Sequence, residues 1–460
     1  MTPALNFRSC LRRFHRQASQ DPNIRSRESV VGSRLKRETY AGSGSECSVR
    51  KLEQEFLNKL PKMTQDELID SAYNLTKLSR SRGHSLRAEL INQLFLRLFA
   101  PKETLSRHDL VRVIQVCASA LPNGREYSEK MHRLIERRND FVTKSITTIS
   151  GRHRDIPIPS LGVLMSALAR IYDPSMRTFF EAVAADVSDR IADNMTEVHL
   201  SPSRMVDRGD LLRMIPFFIL AFNQAQVPVP SGLLESSISF YTKFMEEAPF
   251  SHLSEFINEA SRPGGAELVP VIEYAGKALR SELVENFTVI DIARTVAGMT
   301  RVDMQRAEAI MPYISDLVST RPHSDWTTHS ILEWSKLPAS TWSTNLRKRL
   351  FREIKERQSE IPPTYAGELF LNLTRIGDPE LVELLSQMVL MNLRYLPCEQ
   401  IAVLLDACKN FAIADHIVGS LGYVACRELM RRSHESSELE AIYRFSNRFP
   451  SFTVPQWFQI

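Results

Sequence analysis

Between residues 77 and 154 sixteen Lys/Arg stand against seven Asp/Glu. An excess of that size on consecutive segments suits phosphate, because guanidinium forks grip phosphate oxygens and lysines release condensed counterions. The arginines offered to such a surface are Arg80, Arg82, Arg87, Arg107, Arg112, Arg133, Arg137, Arg138, Arg152 and Arg154. A shorter cluster follows at Arg347-Lys348-Arg349, with Arg352, Lys355 and Arg357. Helical spacing lines up Lys348, Arg352 and Lys355 on one face and Leu346, Leu350 and Ile354 on another. The candidate RNA contacts there are Arg347, Lys348, Arg352 and Lys355. Glu353 and Glu356 in the same helix offer an alternative, a solvated face of internal ion pairs.

Other reactive residue types lack the company that chemistry needs. The sequence holds no Gly-x-x-x-x-Gly-Lys-Ser/Thr loop, no Gly-x-Ser-x-Gly elbow and no His-Glu-x-x-His helix. His323 and His329 flank Asp325 and Trp326 without a recognisable ligand set, which points to a polar loop. The six cysteines, at 10, 47, 117, 398, 408 and 426, form no Cys-x-x-Cys pair, so they are expected as small buried side chains in a reducing compartment. No catalytic residue, metal ligand or cofactor is assigned. The expected activity is binding rather than catalysis.

The elements that would carry these side chains are helices. From about Lys51 a phrase recurs: a capping residue, a helix with apolar residues three and four apart, and a polar turn. Its starts lie at Thr64, Ser106, Pro159, near Asp207 and Ser251, at Thr288, near Trp326, at Pro362, Pro397 and, last, Ser437. Thr64 and Glu67 are spaced as a capping box. From Ser251 onward the starts are roughly 34 to 40 residues apart, the period of a two-helix hairpin, while the earlier ones are wider and carry insertions. Second helices fall between, such as Glu380 to Leu390. No period-two alternation competes. The expected fold is all-α, a helical-hairpin repeat solenoid (an α-α superhelix) without substantial sheet, with a non-repetitive helical bundle as the alternative.

Composition sets the outer limits. With 43% hydrophobic and 24% charged residues the chain is ordinary globular material. Its longest apolar run, Met214 to Phe222, is well short of the roughly twenty residues that cross a bilayer, so no membrane span is expected. Residues 1 to 20 contain no acid, and as a helix they place Phe7, Leu11 and Phe14 opposite Arg8, Arg12 and Arg16. That is the pattern of a mitochondrial presequence, and the expected location is the matrix. Residues 1 to 40 hold nine of the 58 Lys/Arg and three of the 54 Asp/Glu, leaving 49 against 51, so the body is nearly neutral. The expected organisation is a presequence at 1–20, a disordered linker at 21–50, helical repeats with insertions at 51–262, further repeats at 266–445 and an aromatic tail at 446–460. Arg262-Pro-Gly-Gly265 and Val227-Pro-Val-Pro230 are expected as loops or a hinge between halves, and the tail aromatics are expected to cap the last repeat, with docking on a partner subunit as the alternative.

The phrases Met165-Ser-Ala-Leu-Ala-Arg-Ile171, Tyr73-Asn-Leu-Thr-Lys-Leu78 and Leu371-Asn-Leu-Thr-Arg-Ile376 resemble the first helices of organellar helical-repeat RNA proteins. These are the octotricopeptide, heptatricopeptide and FASTK-like groups. The resemblance covers residues 50 to 445, rests on short degenerate motifs and lacks a C-terminal RAP-type domain. It implies RNA as ligand, in a mitochondrial ribonucleoprotein acting in RNA processing or editing. A guide-RNA or messenger-RNA carrier of a kinetoplastid editing complex is its most specific form. Other protein subunits are the expected partners, in a homo- or hetero-oligomer. The rival expectation is a protein-binding scaffold of the mitoribosome or a respiratory complex, touching little RNA.

Overall fold

A computed structural model of the protein describes residues 46–81, 86–99, 105–120, 129–196, 206–263, 265–338, 341–376, 378–393, 396, 398–410, 415–432 and 440–445. All regular structure among them is helical, and the fold is all-α. The expected presequence, the aromatic tail, Arg82 and the helix start at Ser437 lie outside the described residues. So does the expected linker up to residue 45, and the first helix begins at Glu46 within the rest of it.

Two compact units divide the chain. The first comprises residues 1–122 and 129–151, the second residues 123–128 and 152–460. Within the first, α1 (Glu46–Lys59), α2 (Gln65–Ser81), α3 (Ala88–Leu98), α4 (Arg107–Ala120) and α5 (Glu129–Ser150) follow in order. Each packs on its successor where a hairpin joins them and also on the helix two places along: α1 on α3, α3 on α5, α2 on α4.

The second unit runs through α6 (Ile158–Ala169), α7 (Arg177–Thr196), α8 (Arg208–Gln224), α9 (Ser231–Phe244), α10 (Phe250–Ala260), α11 (Val269–Leu279), α12 (Val289–Val302) and α13 (Met304–Ser319). It continues with α14 (Thr328–Ser335), α15 (Thr344–Glu356), α16 (Pro363–Leu373), α17 (Pro379–Asn392), α18 (Cys398–Asn410) and α19 (Asp415–Arg432). The even-numbered helices from α6 to α18 form an unbroken row, each packed on the next even one. Among the odd-numbered helices α7 packs on α9, α9 on α11, α13 on α15 and α17 on α19.

The even-numbered helices begin at or beside the starts expected from sequence, because their caps are local chemistry. The Thr64 hydroxyl accepts from the Glu67 amide at 3.4 Å and the Glu67 carboxylate accepts from the Thr64 amide at 3.1 Å, closing the capping box. Thr288 takes the Asp291 amide at 3.2 Å and Asp207 the Gly209 amide at 3.1 Å. Each capped helix then turns an apolar stripe inward. In α12 it is Val289, Ile292, Val296 and Met299, all buried. Gly298 of the same helix lies against Ile257 of α10, and an added Cβ would come 2.9 Å from the Ile257 carbonyl oxygen. Only glycine permits that approach. The break expected at Arg262–Gly265 therefore falls inside the second unit: α10 and α12 pack across it, and Arg301 ties them by donating to the Asn258 carbonyl at 2.8 Å. The apolar run Met214 to Phe222 is interior to α8, and no helix of the described residues is long and apolar enough to cross a membrane. Toward the C-terminal end, the ring of Phe445 is buried against Gly422 of α19.

Side chains also bridge the turns, usually about one hairpin apart. Arg190 donates to the carbonyls of Ile156 at 3.1 Å and Arg154 at 2.7 Å. Arg321 donates to Val284 and Glu285 at 2.6 and 2.8 Å, and Arg97 to Met63 at 3.0 Å. A guanidinium can satisfy two orphan carbonyls at a helix end at once, which explains the preference for arginine there.

Candidate nucleic-acid interface

The basic stretch of residues 77 to 154 is partly consumed by the fold. Arg87 donates from Nε to Glu53 at 3.0 Å, Arg112 pairs with Asp70 and lies 5.5 Å from the centre of the Tyr73 ring, and Arg154 pairs with Asp189 at 3.1 Å. Arg138 is a correction to the sequence reading: it is 8% exposed and turned inward. It stands between Leu134 and Val142 on the buried stripe of α5, and its Nε donates to the Asn139 side chain at 3.0 Å. The four-residue spacing from Leu134 through Arg138 to Val142 was the available signal. Arg133, Arg137 and Arg152 are exposed, and Arg137 reaches the Asn92 side chain at 3.5 Å. Arg80 lies in α2 and Arg107 opens α4. Arg152 and Arg154 belong to the second unit, the others to the first.

Cations on α15 separate by type. Ser343 caps this helix by accepting from the Leu346 amide at 3.2 Å, and Leu346, Leu350 and Ile354 are buried as the spacing required. Glu353 is fully buried beside them. Its carboxylate meets Arg349 at 2.7 Å, Arg357 at 3.2 Å and His323 Nδ1 at 2.7 Å. The same arginines reach back to the preceding turn, Arg349 to the Arg321 carbonyl at 3.0 Å and Arg357 to the His323 carbonyl at 2.8 Å. Arg352 is exposed but holds Glu356 at 2.7 Å, and this bond first, then the guanidinium's charge, keeps the Glu356 carboxyl below its ordinary range. Arg347 is half-buried. Lys348 and Lys355 face solvent with no side-chain bond to any described residue.

His323, Glu353 and Glu356 bring their ligand atoms within 4.8 Å of one another, a donor set that could in principle hold a divalent ion. The surroundings argue otherwise. Two guanidiniums already balance Glu353, so a metal there would displace or repel them. The grouping acts as an ion-pair node that joins α15 to the turn before α14. Sequence reading placed His323 in an unaccompanied polar loop; its partners lie some thirty residues downstream and carry no motif.

A second polar seam runs across the even-numbered row. Arg294 approaches Glu255 at 3.8 Å and His329 Nε2 at 3.4 Å, while His329 Nδ1 lies 3.1 Å from the Tyr365 hydroxyl. Burial lowers the His329 imidazole and raises the Glu255 carboxyl. Burial also opposes ionisation of Glu333, but Lys336 at 2.9 Å, His329 and Arg294 outweigh it and hold that carboxyl below its usual range. These groups answer one another's charge.

Comparisons with known proteins leave the family open. No family model matches the chain and no curated protein matches it. Among solved structures, one described as an engineered protein covers 91% of this chain and 95% of its own at 14% identity. Its TM-score of 0.29 is too low to support an argument about fold or function.

Proposed function

We propose that this chain is a non-catalytic RNA-binding subunit of a mitochondrial ribonucleoprotein acting in RNA processing or editing, built as a helical-hairpin repeat solenoid. The solenoid reading draws on next-but-one packing of capped helices in both units. The observation that carries the ligand is the outward face of α15, where Lys348 and Lys355 stay exposed and unpaired after neighbouring arginines have turned to Glu353 and the preceding turn. Lysines left in water are free to replace phosphate counterions. Arg133 and Arg137 on α5 are the auxiliary contacts. Matrix localisation rests on the acid-free first twenty residues.

Titration of the full chain without its first twenty residues against single-stranded RNA, at several salt concentrations, tests this. Binding should weaken with salt, and Lys348→Glu with Lys355→Glu should reduce the salt slope by about 2, near one unit per phosphate contact. Salt-insensitive binding, or affinity unchanged in that variant, rejects it. A second reading, a protein-binding scaffold, is favoured by the ion pairing of Arg87, Arg112 and Arg154 and the burial of Arg138. It expects purification with the same partner proteins after RNase treatment and after both charge reversals.

A further inference from the structure

We propose that Phe141, at the edge of α5, stacks an unpaired base of single-stranded RNA, with Arg137 and Lys144 holding the phosphates on either side of it. The inference rests on the RNA-binding reading and names what the first unit adds to it. Phe95, Phe99 and Phe141 form a run of stacked rings, with centroids 4.9 Å apart between the first two and 4.1 Å between the last two. Phe95 belongs to the core at 1% exposure, whereas Phe99, just past α3, and Phe141 are half-buried. The run therefore leads from the core toward the surface and ends, among the described rings, at Phe141. A flat ring added at that end continues the stack, and every base has the π face to do so.

Cations flank the end of the stack. Arg137, Phe141 and Lys144 stand at i, i+4 and i+7 on α5, so they share one edge of the helix, with about 5 to 6 Å of rise between neighbours. Arg137 is exposed, and its 3.5 Å bond to the Asn92 side chain of α3 is at the outer limit of hydrogen bonding. Asn92 aims the guanidinium without neutralising it. Lys144 pairs with Asp140 at 2.7 Å, but both side chains are exposed, 75% and 64%, and a pair held in water yields readily to phosphate. Leu96, 50% exposed, shares a face of α3 with Asn92, and Phe99 follows it by three residues. The surface is thus apolar where a base would lie and positive where phosphates would run. A duplex would bring phosphates to the cations but leave the stack uncovered, because its bases are already stacked on one another.

Fluorescence-anisotropy titration of the full chain with three labelled probes tests the proposal: a single-stranded RNA, the same strand in a blunt duplex, and the same backbone without bases. The single strand should bind tightest. Phe141→Leu keeps an apolar side chain in the packing; it should weaken single-strand binding about tenfold and leave the salt slope unchanged, because stacking releases no counterions. Arg137→Glu should lower that slope by about one. Leu96→Glu, at an exposed position, should weaken single-strand binding without loss of helicity. Equal binding of the base-free and normal strands overturns the stacking site and leaves the RNA reading standing. So does a Phe141→Leu loss shared equally by single strand and duplex. No binding of any probe overturns both. Loss of a co-purifying protein from the Leu96→Glu and Phe141→Leu variants, with RNA affinity intact, overturns the site and gives this face to a protein partner.

Discussion

Helices α5 and α15 are both rich in cations, yet they dispose of them differently. On α15 the buried Glu353 draws Arg349 and Arg357 inward and leaves Lys348, Arg352 and Lys355 on the exposed face. The inward cation of α5, Arg138, bonds through Nε to the neighbouring Asn139, while Arg133 and Arg137 stay outside. On α15 one buried carboxylate makes two arginines structural. Local charge density does not distinguish the two outcomes.

The sharpest way to break this comparison is Glu353→Leu. Removing the shared carboxylate leaves Arg349, Arg357 and His323 facing an apolar group, and the loss of stability should be about 3 to 5 kcal/mol. Glu136→Ala on the exposed face of α5 should change stability by less than about 0.5 kcal/mol. Urea unfolding of the two variants measures the contrast. If Glu353→Leu is as mild as Glu136→Ala, the node contributes little.

A packing control comes next. Gly298→Ala should cost about 2 kcal/mol because the methyl meets Ile257, whereas Gly276→Ala should be neutral or stabilising by up to about 1 kcal/mol. Their order in thermal melts checks it. Acid should act on the second unit through His252, whose imidazole burial, with the Arg213 charge adding to it, lowers to about 4. The unfolded chain takes up this proton near the ordinary histidine range and the folded chain does not. Stability attributable to His252 is therefore complete above about pH 6.5 and falls as pH drops toward 4, by at most about 3 kcal/mol. Comparing the pH dependence of unfolding in the native chain and His252→Gln isolates that contribution; parallel curves reject it. The smallest expected effect is that of Lys348→Glu with Lys355→Glu, which should alter the unfolding midpoint by less than about 0.5 kcal/mol while weakening RNA binding.

Helix starts were legible in the sequence because capping is a conversation among residues three apart. Thr64 with Glu67 and Thr288 with Asp291 announce themselves without tertiary help. The division between compact units was not legible: Pro and Gly at Arg262–Gly265 mark a turn, but a turn need not interrupt packing, and α10 and α12 join across it. The basic residues were located by counting charge, and counting cannot tell a side chain on the wet face from one on the buried stripe. Arg138 could have been excluded by its register with Leu134 and Val142. The inward turn of Arg349 and Arg357 could not, because it depends on the turn carbonyls of Arg321 and His323 delivered by the preceding hairpin.

The arginine-to-carbonyl bonds also set how the second unit would yield to force. Arg190 within α7, and Arg321 and Arg357 just past the ends of α13 and α15, each reach the turn about one hairpin earlier in the chain. Tension along the chain would load such links in series. Each would shield its own hairpin until it broke, and stretching would release contour length in hairpin-sized steps instead of one collapse.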